Sequence, residues 1–151
     1  MTRILVVILC VAVFVACSKD KAETRPTLKL RSIGGNVVPA GSVLLVELDF
    51  TDKEGDVNNS LFVQKIRTNK QTTATIRDTF SLPVPEFPKN TKGIIQAQLD
   101  YSSHLTSAIN PPKDPITNKN QHDTLLLRFV LRDRAGNVSD TVAAGPIVVL
   151  R

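Results

Sequence analysis

A run of carboxylates is the part of the sequence best suited to metal chemistry. Within eight residues that follow an apolar stretch, the chain carries four acidic side chains: Asp49, Asp52, Glu54 and Asp56. Gly55 supplies a hinge among them. Calcium takes about six to eight oxygen ligands from carboxylates, carbonyls and water, and an acidic turn can supply several of them. The spacing does not match the calcium loop of an EF-hand, which needs alternating acids and a later glutamate.

The same acids have a second, purely structural interpretation. Aspartate side chains commonly satisfy the backbone groups of turns, and Arg132 or Arg134 could pair with these carboxylates. On this interpretation the protein requires no cofactor, whereas on the first it binds calcium. The sequence leaves both interpretations open.

Residue types used in catalysis occur without the spacing that catalysis needs. His104 and His122 lie on a polar stretch, and neither has a Cys or His neighbour at metal-ligand spacing. Ser103 directly precedes His104, but the sequence contains no serine elbow, zinc-binding helix or glycine-rich phosphate loop. The sequence therefore predicts a protein that is not an enzyme.

Cysteine content and charge narrow the class of protein further. The only cysteines among the 151 residues are Cys10 and Cys17, so the rest of the chain cannot form a disulfide and must fold by burial. A single domain of about 120 residues can do so. The net charge is +5, but the basic residues are scattered, with no interleaved aromatic side chains. This pattern predicts a solvated basic surface and no binding of nucleic acid.

The amino-terminal segment has the features of an exported protein. Arg3 precedes thirteen apolar residues, 4–16, which as a helix would span about 20 Å, less than the roughly 30 Å hydrocarbon core. The sequence FVAC at residues 14–17 resembles the lipobox of bacterial lipoprotein signal peptides. This resemblance implies that residues 1–16 are cleaved and that Cys17 carries the lipid. Because Ser18 rather than Asp follows, it also implies the outer membrane.

Residues 17–26 then form the lipidated cysteine and a polar, flexible tether. Two or more acyl chains anchor a protein stably to a membrane, whereas one chain does not. Nine flexible residues reach about 15–18 Å, so the domain would stay close to the membrane. The expected organisation is a signal peptide over 1–16, a tether over 17–26 and one domain over 27–151.

Alternating apolar and polar residues predict an all-β domain. Between residues 43 and 50, for example, Leu44, Val46 and Leu48 face one way, whereas Glu47 and Asp49 face the other. About seven such strands, separated by turns, are typical of an antiparallel β-sandwich. The predicted strands cover residues 27–33, 43–50, 61–67, 73–82, 95–101, 125–131 and 142 together with 147–150.

Two connections are unusually long. Residues 83–92 are proline-rich and cannot pair as a central strand. Residues 102–122 form a polar stretch with three prolines. Loops of that length are uncommon and are usually either functional or disordered.

Two stretches resemble the bacterial immunoglobulin-like domains of cell-surface proteins. Residues 40–57 resemble the second strand of such domains with its acidic turn. Residues 125–140 resemble the penultimate strand with its Asp-x-Ala-Gly-Asn turn. The resemblance implies an immunoglobulin-like sandwich that binds, spaces or displays at a surface, and it does not imply catalysis.

In an immunoglobulin-like topology, the turns after the second and penultimate strands lie at the same end. The resemblance therefore adds two residues of the later turn to the candidate ligands of the acidic turn. The complete candidate calcium set is Asp52, Glu54, Asp56, Asp133 and Asn137.

These expectations combine into a lipid-anchored, non-catalytic interaction module on the periplasmic or outer face of the outer membrane. Its partners would be the membrane, through Cys17, and an unidentified protein, as in an accessory component of an outer-membrane assembly. The alternatives are a glycan-binding module, a calcium-stiffened adhesion module and, less favoured, a hydrolase. Glycan-binding modules usually expose aromatic rings, but this chain has no Trp and one Tyr, Tyr101, at an inward-facing position.

Overall fold

The computed structural model describes residues 24–57, 59–70 and 77–151. The predicted signal peptide, Cys17 and the tether up to residue 23 lie outside the described residues, as do residues 73–76 of one predicted strand. Over the described part of the chain, no helix is long and apolar enough to cross a membrane.

The described chain folds as a sandwich of two β-sheets, which confirms the predicted all-β class. The first sheet has three strands in the order β1-β3-β6, and the second has five in the order β2-β8-β7-β4-β5. All pairs are antiparallel except β2 with β8, which is parallel. The strands are β1 (Thr27–Ile33), β2 (Val37–Val38), β3 (Val43–Thr51), β4 (Ser60–Arg67), β5 (Arg77–Pro83), β6 (Lys92–Asp100), β7 (Asp123–Arg132) and β8 (Val142–Val149).

Alternation along each strand places one row of apolar side chains between the sheets. In β3 the even-numbered residues from Leu44 to Phe50 are buried, and the odd-numbered residues are not. Burial of one such side chain contributes about 1.5–3 kcal/mol to the free energy of unfolding. The fully buried core from both sheets includes Leu48, Leu99, Phe129, Leu131 and Ile147.

The last strand was predicted as two separate pieces, but in the structure it is one. β8 is continuous from Val142 to Val149 and includes the cis peptide bond between Gly145 and Pro146. The pairing register shifts at this point: Leu125 pairs with Ile147 and Leu127 with Ala144, so two residues of β8 face one residue of β7. At Gly145 φ is +136°, and an added Cβ would lie 2.8 Å from the Leu125 carbonyl oxygen, so only glycine fits there.

Two further elements differ from the sequence-based prediction. The two-residue strand β2 was not predicted, and it pairs with the far end of β8. Tyr101, predicted as the end of a strand, instead begins a π-helical turn, Tyr101–Leu105. That turn buries Leu105 and starts the long loop of residues 101–122, here called the distal loop.

The two ends of the sandwich are formed by different elements. At the proximal end β1 begins, β3 and β7 end, and Thr27 pairs with Thr51. At the opposite, distal end lie the distal loop and the end of β8, where Val149 pairs with Asp123.

The last residues of the predicted tether pack onto the sandwich at the proximal end. Pro26 is buried, and Arg25 donates from Nε and Nη2 to the carbonyl oxygen of Val138, at 3.1 and 3.0 Å. Asn137 Nδ2 donates to the carbonyl oxygen of Thr24 at 3.4 Å. Residues 24–26 are therefore part of the folded unit, and we call these contacts the tether junction.

Candidate functional site

Three carboxylates from two loops meet at the proximal end. Asp52 and Asp56 belong to the β3–β4 loop, and Asp133 begins the β7–β8 loop. One carboxylate oxygen from each lies within 4.8 Å of the other two. Asp52 and Asp133 are buried, with 3% and 0% of their surface exposed. We call these three residues the acidic cluster.

The β3–β4 loop is held in one conformation by its own side chains and by a neighbouring loop. The Asp52 backbone N–H donates to the Thr91 carbonyl oxygen at 2.8 Å, and Val57 is fully buried. Gly55 has φ +67°, and an added Cβ would lie 3.1 Å from the Asn90 nitrogen, so the bend requires glycine.

The β7–β8 loop is locked to the β3–β4 loop by hydrogen bonds. The Arg134 backbone N–H donates to the Asp56 carbonyl oxygen at 3.1 Å. Asn59 Nδ2 donates to the Asp133 carbonyl oxygen at 2.9 Å. The two loops therefore form one unit, and the three carboxylates have a fixed arrangement.

Hydrogen bonding leaves two oxygens of the acidic cluster unused. Asp133 accepts from Asn137 at both oxygens, through the backbone N–H at 2.7 Å and through Nδ2 at 2.8 Å. Asp52 Oδ2 accepts from the Asp56 backbone N–H at 3.1 Å. Within the described chain, Asp52 Oδ1 and Asp56 Oδ1 are buried and have no hydrogen-bond partner. Buried polar atoms of this kind are rare and call for a physical explanation.

The electrostatics of the acidic cluster disfavour three bare negative charges. Burial raises the pKa of the Asp56 carboxyl, and the negative charges of Asp133 and Asp52 raise it further. Only when it is protonated can the Asp56 carboxyl donate a hydrogen bond to the Asp52 carboxylate, and this bond and the charge of Glu54 raise its pKa further. A carboxylate surrounded by like charges holds a proton or a cation more tightly than an isolated one.

The structure brings together three of the five predicted ligands. Glu54 is exposed and does not belong to the acidic cluster. Asn137 lies beside the cluster, but its amide nitrogen points to Asp133 and Thr24, so it positions Asp133 instead of offering an oxygen there. Arg134, a suggested partner of the acids, pairs with Glu86 instead.

At the distal end, a buried ion pair fixes the distal loop. Arg67 Nε donates to Asp123 Oδ1 at 2.6 Å, and both side chains are 1% exposed. The remaining guanidinium nitrogens of Arg67 donate to the carbonyl oxygens of Asn110 and Ile109, at 3.2 and 2.6 Å. Arg151 also contacts Asp123, with Nη2 2.7 Å from Oδ2.

A second buried cation holds the start of the same loop. Lys65 Nζ donates to the carbonyl oxygens of His104 and Thr106, at 2.9 and 2.7 Å, and lies 3.5 Å from Asp78 Oδ2. Burial lowers the pKa of Lys65, and the opposite charge of Asp78 counteracts part of that effect. The distal loop is therefore pinned at four backbone carbonyls by two cations from one strand.

The sequence contained a signal for these cations that the prediction missed. Along β4, Lys65 and Arg67 occupy the same face as the buried Leu61 and Val63. On β7, Asp123 shares the inward face with Leu125. When a charged residue falls at a strand position whose neighbours on the same face are buried and apolar, its side chain is expected to be buried and ion-paired.

Beside the pinned loop lies a polar cleft with a volume of about 700 Å³, here called the distal cleft. Lys70, Lys119 and Arg151 give one part of its lining positive charge, and Asp114 is the acidic side chain among the lining residues. The Arg151 backbone N–H donates to Nδ1 of His122 at 3.0 Å, so the neutral ring carries its proton on Nε2. With three cationic side chains and one anionic side chain, the lining of the distal cleft has a net positive charge.

A serine, a histidine and an aspartate meet on the π-helical turn without forming a catalytic triad. Ser103 Oγ lies 3.3 Å from Nδ1 of His104, and Asp100 Oδ2 lies 3.6 Å from the same nitrogen. A triad needs the nucleophile and the acid on opposite ring nitrogens. Here Nδ1 also accepts from the Asp100 backbone N–H at 3.0 Å.

Comparison with known proteins gives little further information. No protein-family model matches the sequence, and no curated protein matches it. Two solved structures of a β-glucosidase from Listeria innocua, with gluconolactone and with glucose, are 12% identical, with TM-scores of 0.40 and 0.35. Each match covers 83% of this chain and 16% of the enzyme. The chain thus spans a small part of that enzyme's length, and a likeness at this level carries no argument about fold or activity.

Proposed function

We propose that this protein is an exported lipoprotein whose β-sandwich is a non-catalytic interaction module at the outer membrane. The lipid is attached to Cys17, and the distal loop binds a protein partner. Support for the anchor comes from the lipobox-like residues 14–17. Support for the orientation comes from the packing of residues 24–26 at the proximal end, opposite the distal loop.

The observation that carries the proposal is the pinning of the distal loop by buried Arg67 and Lys65. Burial of a charged side chain is unfavourable unless the charge is paired and hydrogen-bonded. Here both cations bond to loop carbonyl oxygens. Loops positioned by a rigid scaffold often carry binding function, and long loops are uncommon without such a role.

The strand order supports the resemblance to immunoglobulin-like domains. In such domains the first, second and fifth strands pair in one sheet, and the third, sixth and seventh pair in the other. If β2 is counted as a branch of the first strand and β5 as the fourth strand, the sheets β1-β3-β6 and β8-β7-β4 follow this order, and β5 pairs at the edge of the second sheet. Domains of this architecture commonly serve in recognition at cell surfaces.

The lining of the distal cleft favours a protein partner with an acidic surface over a glycan. Lys70 and Lys119 contribute positive charge, and the remaining lining residues are mostly amides and hydroxyls. Sugar-binding surfaces usually present aromatic faces. Tyr101 is half-buried, and its hydroxyl donates to the Leu150 carbonyl oxygen at 2.7 Å.

A fractionation experiment tests the anchor. The full chain, produced in a bacterium with two membranes, should incorporate labelled palmitate and sediment with the outer membrane. The Cys17→Ser variant should incorporate no label and should not be processed at that site. Equal labelling of both proteins would contradict the assignment of Cys17.

Cross-linking in cells with a matched pair of charge reversals tests the interaction. Lys119→Glu changes the distal cleft, and Lys89→Glu makes the same charge reversal in the loop between β5 and β6, at the proximal end. We expect a specific cross-linked protein with the wild type and with Lys89→Glu, and its loss with Lys119→Glu. Loss with both variants, or with neither, would contradict a binding site in the distal cleft.

A further inference from the structure

We propose that a calcium ion binds between Asp52, Asp56 and Asp133 and makes the tether junction rigid. The inference is independent of the distal loop and of its partner. It concerns the opposite end of the sandwich, where the chain arrives from the membrane anchor.

The first argument is the geometry of the acidic cluster. Two oxygens bound to one calcium ion at about 2.3–2.6 Å lie at most about 5 Å apart. One carboxylate oxygen from each of the three aspartates lies within 4.8 Å of the other two. The loops that carry them are bonded to each other, so this arrangement does not depend on chance side-chain positions.

The second argument is independent of the first and concerns unused oxygens. Asp52 is 3% exposed, and its Oδ1 has no hydrogen-bond partner within the described chain. Asp56 Oδ1 is also buried and unpartnered. A buried acceptor without a partner loses the full free energy of its hydration. A cation at this position supplies the missing partner for both oxygens.

The donor set selects the chemical class of the ion. All three side chains offer oxygen, which hard divalent cations prefer, and the cluster has no thiolate or imidazole ligand for a softer metal. Calcium accepts irregular geometry and variable ligand number, whereas magnesium requires a near-ideal octahedron and retains several waters. Three carboxylates from two irregular loops therefore fit calcium better.

The path from the ion to the tether is short. Asp133 accepts two hydrogen bonds from Asn137, and Asn137 Nδ2 also donates to the Thr24 carbonyl oxygen. The next residue, Val138, accepts both hydrogen bonds from Arg25. An ion that fixes Asp133 therefore also fixes the two residues that hold residues 24 and 25.

Calorimetric titration with calcium chloride tests the site, using the full-length protein in detergent after removal of metal with a chelator. We expect one calcium ion per chain. We also expect the midpoint of thermal unfolding to rise by about 10 °C when free calcium is a hundredfold above Kd. A rise of equal size with potassium chloride at matched ionic strength would mean charge screening, and it would overturn the proposal.

Matched variants locate the ion. Asp52→Asn and Asp56→Asn should each weaken binding at least tenfold, whereas Glu54→Gln, on an exposed side chain of the same loop, should bind like the wild type. In chelator, both Asn variants should have a midpoint of thermal unfolding at or above that of the wild type, because they remove charge repulsion. This measurement also shows that the variants fold. Equal loss with Glu54→Gln would indicate a diffuse negative surface and would overturn the proposal.

Hydrogen exchange tests the effect on the tether junction. Calcium should slow amide exchange in peptides that cover residues 24–33 and 133–138, and it should leave exchange in the distal loop unchanged. Binding without slower exchange at residues 24–33 would overturn the rigid junction. None of these readouts requires the partner or the lipid, so the failure of this proposal is distinguishable from failure of the proposed function.

Discussion

At the scale of single residues, Asp123 is the counterion for two arginines at the distal end. Its oxygens contact Arg67 Nε at 2.6 Å and Arg151 Nη2 at 2.7 Å, and the carboxylate is 1% exposed. By contrast, the pair of Arg31 and Asp49 lies on the surface, with side chains 50% and 45% exposed. The two aspartates therefore make similar ion pairs in different environments.

We predict that Asp123→Asn lowers the free energy of unfolding by about 3–5 kcal/mol, because it leaves the buried guanidinium group of Arg67 without its counterion. Asp49→Asn should lower it by less than about 1 kcal/mol, since water screens an exposed pair. Urea unfolding of both variants measures the difference. Similar losses for the two variants would show that burial does not distinguish the pairs.

At the scale of elements, a short hairpin in the distal loop is organised by one carboxylate. Asp114 Oδ1 accepts from the backbone N–H groups of Ile116 and Thr117, at 3.0 and 2.8 Å, and from the Thr117 hydroxyl at 3.1 Å. Lys113 and Asn120 form the isolated bridge that closes the hairpin. Hydrogen bonds from Thr117 and Ile116 lower the pKa of Asp114 below 3.8.

A lowered pKa fixes the sign of the pH dependence of this hairpin. The ionised Asp114 accepts the hydrogen bonds, so its contribution is fully present above pH 3.8 and is lost as the pH falls through its lowered pKa. We predict that the amide resonance of Thr117 titrates with a midpoint below 3.8, and that Asp114→Asn abolishes the titration. A midpoint at or above 3.8 would contradict the hydrogen-bonded arrangement.

A strand could be predicted from the sequence when the residues that determine it lie within the strand itself. β3 and β7 have strict alternation over nine and ten residues, and the sequence located both. β2 has only two residues, Val37 and Val38, and they form a strand because they pair with Val148 and Val149. No pattern in the neighbouring sequence predicts this long-range pairing. The local sequence does not predict the π-helical turn either, because Tyr101 continues the apolar–polar alternation of β6.

The acidic cluster could be predicted only in part, because one of its residues lies far from the other two in the sequence. Asp52 and Asp56 stand in one turn, but their meeting with Asp133 depends on which turns share an end, and that followed only from the family resemblance. Glu54 shows the limit of the spacing argument. It lies in the same acidic run, yet its side chain is exposed and does not belong to the acidic cluster.

At the scale of the whole molecule, the tether junction and the distal cleft lie at opposite ends of the sandwich. β3 has nine residues, which span about 30 Å at 3.3–3.4 Å per residue. If Cys17 is lipidated, six residues, 18–23, separate it from the junction, and six residues span at most about 20–22 Å. The distal cleft would then lie about 30 Å farther from the membrane than the junction.

We predict that this arrangement appears as a difference in energy transfer to acceptor lipids in vesicles that carry the lipidated protein. A dye on Lys89→Cys, in the loop between β5 and β6, should transfer strongly, whereas a dye on Lys119→Cys should transfer weakly because of the added distance. A protein that consists of residues 18–151, with either dye, is the control: it lacks Cys10, Cys17 and the apolar segment, so it should show no transfer. Equal transfer from both dyes would contradict an upright sandwich.

The parallel pairing of β2 with β8 also has a consequence for the order in which the chain matures. A ribosome releases Val37 and Val38 long before Val148 and Val149, so β2 has no partner until nearly the whole domain has been synthesised. Contacts between residues so distant in sequence form slowly. The five-stranded sheet therefore stays incomplete until the last strand emerges, and an incompletely folded chain could still pass through a narrow translocation channel, as the proposed export would require.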